Sequence, residues 1–308
     1  MDCEHAEKSG GQRAPMRFEQ NSLSEVKRVI AVLSGKGGVG KSFVTGALAI
    51  EMARQGLSIG ILDADVTGPS IPKMLGMSGR RASGLGRLLL PEISTGGIKV
   101  ISSNLLLDSE TDPVLWRGPV IAGAIRQFWS DTSWGPLDCL LVDMPPGTGD
   151  VALTVFQSLP VDGIVIVTSP QDIVSMIVAK AVRMAEKMDV PILGVVENMS
   201  YVSCPRCGER IELFGASTLG KIKERYGLCE LGRLPVEPSL AAAIDAGTIE
   251  EALPADMLAD AVAAIEAVSP READETDSAA KSSGPDSRVD GDGATRAEPD
   301  APRASDIS

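Results

Sequence analysis

The run Gly35-Lys36-Gly37-Gly38-Val39-Gly40-Lys41-Ser42 constrains this chain more than any other stretch. It fits G-x-x-x-x-G-K-[ST], follows the apolar run Val29 to Leu33, and precedes Phe43, Ala47, Leu48 and Met52 at helical spacing. Strand, glycine loop and helix in that order make a phosphate cradle. Glycine has no Cβ, so successive backbone N–H groups can curl around a polyphosphate. The first turn of the helix then offers the same anion its unpaired N–H groups and a partial positive charge. Lys41 is spaced to reach the β- and γ-phosphates, and the Ser42 hydroxyl to ligate Mg²⁺.

What the chain lacks narrows the chemistry. Its single histidine, His5, lies in a polar leader, so a Ser-His-Asp triad or a histidine-rich zinc centre cannot be built in the main domain. Phosphoryl transfer needs no histidine, since positioning and charge stabilisation carry it. The formal charge of −13 leaves no basic stripe for nucleic acid. There is no signal sequence and no apolar run of about 18 residues. With five irregularly spaced cysteines, this predicts a cytoplasmic protein without structural disulfides and without a membrane partner. Cys139 and Cys229 read as buried core residues.

Alternating strands and helices predict an α/β fold with a doubly wound, mostly parallel sheet and helices on both faces. Ligands of such sheets sit outside the carboxyl ends of the strands. Three strand ends carry polar groups there. Leu57 to Leu62 runs into Asp63-Ala64-Asp65, where Asp65 is the candidate for orienting an attacking water and Asp63 for organising the magnesium shell; an Asx turn is the plain alternative. Asp138 to Asp143 is an apolar strand ending in an acid, which places Asp143 beside a metal-bound water. Gly147 or Gly149, in the turn that follows, is a candidate sensor of the γ-phosphate. Ile192 to Val196 ends at Glu197-Asn198-Met199, with Asn198 the candidate for a purine edge.

Composition divides the chain into a flexible leader, 1–24, a nucleotide-binding domain, 25–268, and an acidic tail, 269–308. The tail has almost no large apolar residue and cannot offset its ordering entropy. Residues 76 to 97, rich in Gly, Ser and Arg, read as a mobile surface insert.

A second site follows the last of these strands. Cys204-Pro205-Arg206-Cys207-Gly208 is a knuckle whose thiolates can converge on one metal. A closed zinc or [4Fe-4S] site wants about four ligands, and two copies of the pair across a two-fold axis would supply them. A dithiol redox motif, a structural zinc and an iron-sulfur cluster all fit the spacing.

In order along the chain stand S-G-K-G-G-V-G-K-S, D-A-D-V-T-G-P-S, W-R-G-P, D-M-P-P-G-T-G-D, T-S-P-Q-D and N-M-S-Y-V-x-C-P-x-C-G. Over about 25 to 250 the sequence resembles the Mrp/ApbC (Nbp35-type) iron-sulfur carrier ATPases, of the deviant Walker A class that includes MinD, ParA and the nitrogenase iron protein. The resemblance implies an ATP-dependent homodimer that holds a labile [4Fe-4S] cluster between subunits and passes it to apoproteins. It assigns Gly35, Lys36, Gly37, Gly38, Val39, Gly40, Lys41 and Ser42 to ATP, with Lys36 acting across the dimer. It also assigns Asp65 and Asp143 to hydrolysis and Mg²⁺, Asn198 to adenine, and Cys204 with Cys207 to the cluster, zinc being the alternative there. Some relatives carry an N-terminal four-cysteine site; here only Cys3 stands in the leader, so a second stable cluster is not expected. A positioning ATPase like MinD or ParA would want basic membrane- or DNA-binding surfaces and leaves the knuckle unexplained. An electron donor like the nitrogenase iron protein takes its cluster thiols from separated loops. A zinc-clasped dimer using nucleotide only as a switch is the non-enzymatic alternative.

Overall fold

A computed structural model describes residues 18–271 apart from 67, 107–117, 148 and 171–173; at 118, 119, 150, 151 and 174–177 the backbone alone is described. Cys3, His5, the Trp116-Arg117 pair, Gln171-Asp172 and the acidic tail beyond Arg271 therefore lie outside the described residues. By contacts the chain divides into Met1–Glu272 and Ala273–Ser308, and every described residue belongs to the first unit.

The elements follow the hydrophobic pattern. After a short β1 (Ser24–Val26) come β2 (Val29–Ser34), α1 (Lys41–Arg54), β3 (Ile59–Asp63) and α2 (Ile71–Met74). Short strands β4 (Ser83–Leu85), β5 (Leu88–Leu90) and β6 (Glu92–Ile93) lead to β7 (Lys99–Ile101) and, further on, α3 (Gly118–Ser130). Then β8 (Gly135–Leu137), β9 (Cys139–Asp143), α4 (Asp150–Ser158), β10 (Gly163–Thr168) and α5 (Val174–Met188) alternate. The chain continues through β11 (Ile192–Ser203), β12 (Arg210–Ile211), α6 (Leu219–Tyr226) and β13 (Glu230–Pro235). It closes with α7 (Pro238–Ala246), α8 (Ile249–Ala252) and α9 (Ala259–Glu266).

The central sheet runs β11-β10-β2-β9-β3-β7-β6, with β13 and then β12 along the outer edge of β11. All pairings are parallel except β6 on β7 and β12 on β11. Parallel strands need both faces covered, and alternate residues of each strand point to opposite faces. Ile30, Val32, Ile59, Ile61, Leu141, Val165 and Val167 pack with α1, α7 and α9 in one core layer. Val29, Ala31, Leu33, Leu62, Leu140, Val142, Ile164 and Ile166 pack with α3, α4 and α5 in the other. Ile121, Ile125, Phe128 and Trp129 of α3 belong to that second layer, and Trp134 beside them is fully buried, its indole N–H donating to the Phe128 carbonyl at 3.1 Å.

Several elements differ from the sequence reading. Residues 76 to 97 are not one irregular insert: β4 and β5 form an antiparallel hairpin, and β6 joins the main sheet. The strand expected to end at Val196 continues to Ser203, because β13 and β12 pair successive stretches of its edge. Cys139 is buried as expected, and burial pushes its thiol up to about 12. Cys229 is only half-buried, where the sequence reading expected a buried core thiol. No helix among the described residues is long and apolar enough to cross a membrane.

Gly60 tests the tightness of this packing. A Cβ there would lie 2.7 Å from Leu137 Cδ1, 2.8 Å from Leu140 Cδ1 and 3.1 Å from the Trp134 ring. Overpacking a close-packed core costs about 1–3 kcal/mol. Gly60→Ala should therefore lower the free energy of unfolding by about that amount, read in urea as a lower midpoint at an unchanged slope.

Candidate nucleotide and thiol sites

The phosphate loop leaves β2 where its neighbours on either side, β9 and β10, also end. Val32 is paired with Asp143, and Ser34 with Val167. Gly38 and Gly40 adopt left-handed backbones, with φ of 82° and 81°, conformations that a Cβ would strain. Gly40 is also the N-cap of α1. That helix has no side-chain cap and no acid in its first turn, so its N–H groups remain available to an anion. The loop opens on a cavity of about 330 Å³ lined by Ser34, Gly37, Gly38, Lys41, Ser42 and Asp65 on its polar side and by Phe43, Met74 and Ile244 on its apolar side.

Under the loop, Asp143 is the meeting point. It is fully buried, and Lys41 Nζ lies 2.7 Å from its Oδ2. Ser42 Oγ donates to the same oxygen at 2.6 Å, and Thr45 Oγ1 to Oδ1 at 2.7 Å. Lys41 also lies 3.9 Å from Asp65, which is mostly buried at the cavity wall. Asp143, Ser42, Asp65 and Lys41 thus come together as the strand ends predicted. This donor set fits a hydrated divalent cation: a serine hydroxyl beside a carboxylate at the phosphate loop.

Asp63 stands deeper than expected. It is fully buried, paired in register with Asp143, and its oxygens accept from Ser102 Oγ at 3.0 Å and the Asp65 N–H at 3.1 Å. Burial first, and the Asp143 carboxylate second, push it well above the usual carboxylate range. Lys41 acts the other way on this carboxyl, and through its two accepted hydrogen bonds Asp63 braces the Asp63–Asp65 turn. Asn198 is buried, and its Nδ2 donates to the Val39 carbonyl at 3.0 Å, packed against Gly40. One amide proton thus holds the loop backbone. Gly147 likewise spends its N–H on the Ser34 carbonyl at 2.8 Å, which removes it as a phosphate sensor in this state. Lys36 is exposed at the loop's outer side.

Cys204 and Cys207 are free thiols, one half-buried and one exposed, in the tight turn between β11 and β12. The Cys204 N–H donates to the Glu209 carbonyl, and Gly208, at φ 75°, returns its N–H to the Cys204 carbonyl, each at 2.8 Å. Backbone N–H groups of Arg206 and Cys207, then the Cys207 side chain, hold the Cys204 thiol below its usual range, which favours the metal-binding thiolate. No cluster of three or more potential metal ligands exists among the described residues, so the two thiols do not by themselves make up the four ligands of a closed site there. Ile211, Leu213 and Phe214 follow it and are exposed. Sequence reading missed this apolar flank and the Thr45 hydroxyl; alternation around Ile211 and the helical spacing from Ser42 carry only weak signals of either.

The sheet order, the glycine loop and its buried acid define a P-loop NTPase of the MinD/ParA-like fold. The family described as ParA, NUBPL iron-transfer P-loop NTPase, matches residues 25–268, and the chain belongs to it. It is 46% identical over 258 residues to an iron-sulfur cluster carrier protein of Clostridium perfringens, covering 81% of this chain and 90% of that one. A carrier of the same description from Methanocaldococcus jannaschii is 44% identical over 229 residues, or 74% and 79% of the two chains. Among solved structures, an ADP-bound nucleotide-binding protein of Archaeoglobus fulgidus with cobalt is 43% identical, with a TM-score of 0.68 over 74% of this chain and 90% of its own. The Mg-ADP form of the septum site-determining protein MinD of Pyrococcus horikoshii shares the fold, at 17% identity and TM-score 0.54 over 83% and 98%.

Lys41→Ala leaves a buried carboxylate without its cation, a loss of about 3–5 kcal/mol. Calorimetry should show that loss together with loss of nucleotide binding, and adding Asp143→Asn should restore most of the stability and none of the binding. The thiol ordering has its own readout. Because the Cys204 value is depressed, its thiolate survives to lower pH than an ordinary thiol's and is lost only as pH falls through that depressed value. Alkylation by iodoacetamide, followed by peptide mass, should rise with pH earlier at Cys204 than for a free model thiol and stay negligible at Cys139 throughout the neutral range.

Proposed function

We propose that this chain is an ATP-dependent carrier that holds a [4Fe-4S] cluster between two copies of itself and delivers it to apo iron-sulfur proteins, with slow ATP hydrolysis. The observation that carries the reading is the half-site: two free thiols, one depressed, on a turn grown from the strand that also braces the phosphate loop. Two thiols leave a cluster two ligands short, and a two-fold axis supplies the missing pair without any further cysteine. The exposed Ile211, Leu213 and Phe214 flank suits a surface covered by another protein chain. The family and its iron-sulfur carrier members support the cargo.

In this reading the domain is residues 25–268. The loop from Gly35 to Ser42 binds the polyphosphate, Lys41 leaves Asp143 for the β- and γ-phosphates, and Ser42 with Asp143 orders the hydrated Mg²⁺. Asp65, at the cavity wall, orients the attacking water. Lys36, exposed on the outer side of the loop, reaches the partner copy's nucleotide, and basal turnover is slow because the site is completed only in the dimer. Cys204 and Cys207 hold the cargo, which is soft-ligand chemistry.

Anaerobic reconstitution followed by iron, sulfide and mass analysis tests this. Roughly four iron and four sulfide per dimer are expected, with Cys204→Ala losing both while binding ATP as the parent does. Stoichiometric zinc that resists exchange would replace the carrier by a zinc-clasped nucleotide switch, and a monomer with a full complement of iron would remove the shared site.

A further inference from the structure

Glu197 and Asn198 are consecutive residues of β11, and each holds one of the two sites. Asn198 grips the phosphate loop through the Val39 carbonyl and packs against Gly40. Glu197 holds the segment that follows the thiols. Its carboxylate is fully buried; Oε1 accepts the Thr218 N–H at 3.1 Å, at the entry to α6, and Oε2 accepts Ser200 Oγ at 2.6 Å. Arg233 Nε lies 3.6 Å from Oε2 and donates to Ser200 Oγ at 2.9 Å, while its other arm donates to Glu212 at 3.2 Å. The chain from Cys207 onward is thus pinned at Glu212 and at Thr218 by groups that meet on one buried carboxylate.

The backbone between the two sites is irregular. Glu197 pairs with Arg233 and Tyr201 with Pro235, so four steps along β11 span two along β13 and Asn198–Ser200 arch out of the sheet. At the crest Met199 has φ 56°, a left-handed backbone that is uncommon and strained for a side chain of its size. A positive φ at a residue with a side chain stores strain that a flatter backbone would relieve. Both sites touch the arch: Asn198 bonds the phosphate loop, and the Glu197–Arg233 pair holds the segment after the thiols.

We propose that Glu197, with Arg233, is a positioning residue that transmits the occupancy of the phosphate loop to Cys204 and Cys207. A polyphosphate in the loop fixes Val39 and Gly40, Asn198 follows them, and the arch shifts the carboxylate on which Glu212 and Thr218 depend. The inference rests on the two-site reading above, and it concerns exposure of the thiols, whatever metal they take.

The experiment uses the full chain, reduced and stripped of metal with a chelator. Iodoacetamide labelling of the Cys204–Cys207 peptide is timed with and without Mg-ATP. The parent should show a nucleotide-dependent change in rate on the order of fivefold or more, the lower range of site-to-site coupling. Glu197→Gln should bring the ratio to about one with nucleotide affinity within about twofold of the parent. If that variant melts early and cannot be assayed, Arg233→Lys takes its place: it keeps the charge, loses the fork that bridges the two carboxylates, and should collapse the ratio in the same way. A parent ratio of one, a variant that keeps the parent's ratio, or a variant that loses nucleotide along with coupling each overturns the proposal. Iron and sulfide content report separately on the cargo, so failure of the carrier reading leaves this result interpretable.

Discussion

The buried charge of Asp143 governs the architecture around it. A carboxylate with no exposure would cost several kcal/mol if left alone, and here Lys41, Ser42 and Thr45 all converge on it. Those three residues are the first turns of α1, so the interaction clamps that helix to the end of β9 and suspends the glycine loop between them. The neighbouring Asp63, paired with Asp143 across adjacent strands, is pushed well above the usual carboxylate range by its burial and by that second acid. In the proposed reading, a polyphosphate at the loop would compete with Asp143 for Lys41, and Mg²⁺ would be held by Ser42 and Asp143.

Around this clamp the sheet places every other participant. Parallel strands end on one edge, which brings Ser34, Asp63 with Asp65, and Asp143 to a common rim. β11 alone among the strands bearing site residues runs on past that rim. Its first half is a buried sheet strand, its middle braces the phosphate loop, and its end carries the thiol turn. Nucleotide and thiols are thereby joined by one continuous backbone, interrupted only by the arch at Met199. A turn that depended on a separate domain would lack this connection.

Much of the site was legible because local rules set it. The glycine spacing, the helix that follows and the acid closing an apolar strand are each readable within about ten residues, since period and backbone freedom decide them. Asn198 illustrates the opposite case. Its place at a strand end was readable, but that its amide meets the Val39 carbonyl depends on how closely Gly40 approaches, a contact between residues far apart in sequence. Asp63 is similar: two acids look alike on paper until register pairs one with Asp143. The 76 to 97 stretch was misread because short strands with glycine turns lack periodicity, and β6 forms only where β7 offers an edge.

The amino-acid order by itself determined the phosphate loop, the two-faced parallel sheet and the presence of a two-thiol turn, because these follow from glycine placement, hydrophobic period and cysteine spacing. Tertiary structure alone decided which acid is fully buried, which amide braces the loop, and that the segment after the thiol turn is held at Glu197, beside the residue gripping the loop. Burial and partner charge set those outcomes, and both are properties of what surrounds a side chain in space, which no single stretch of sequence contains.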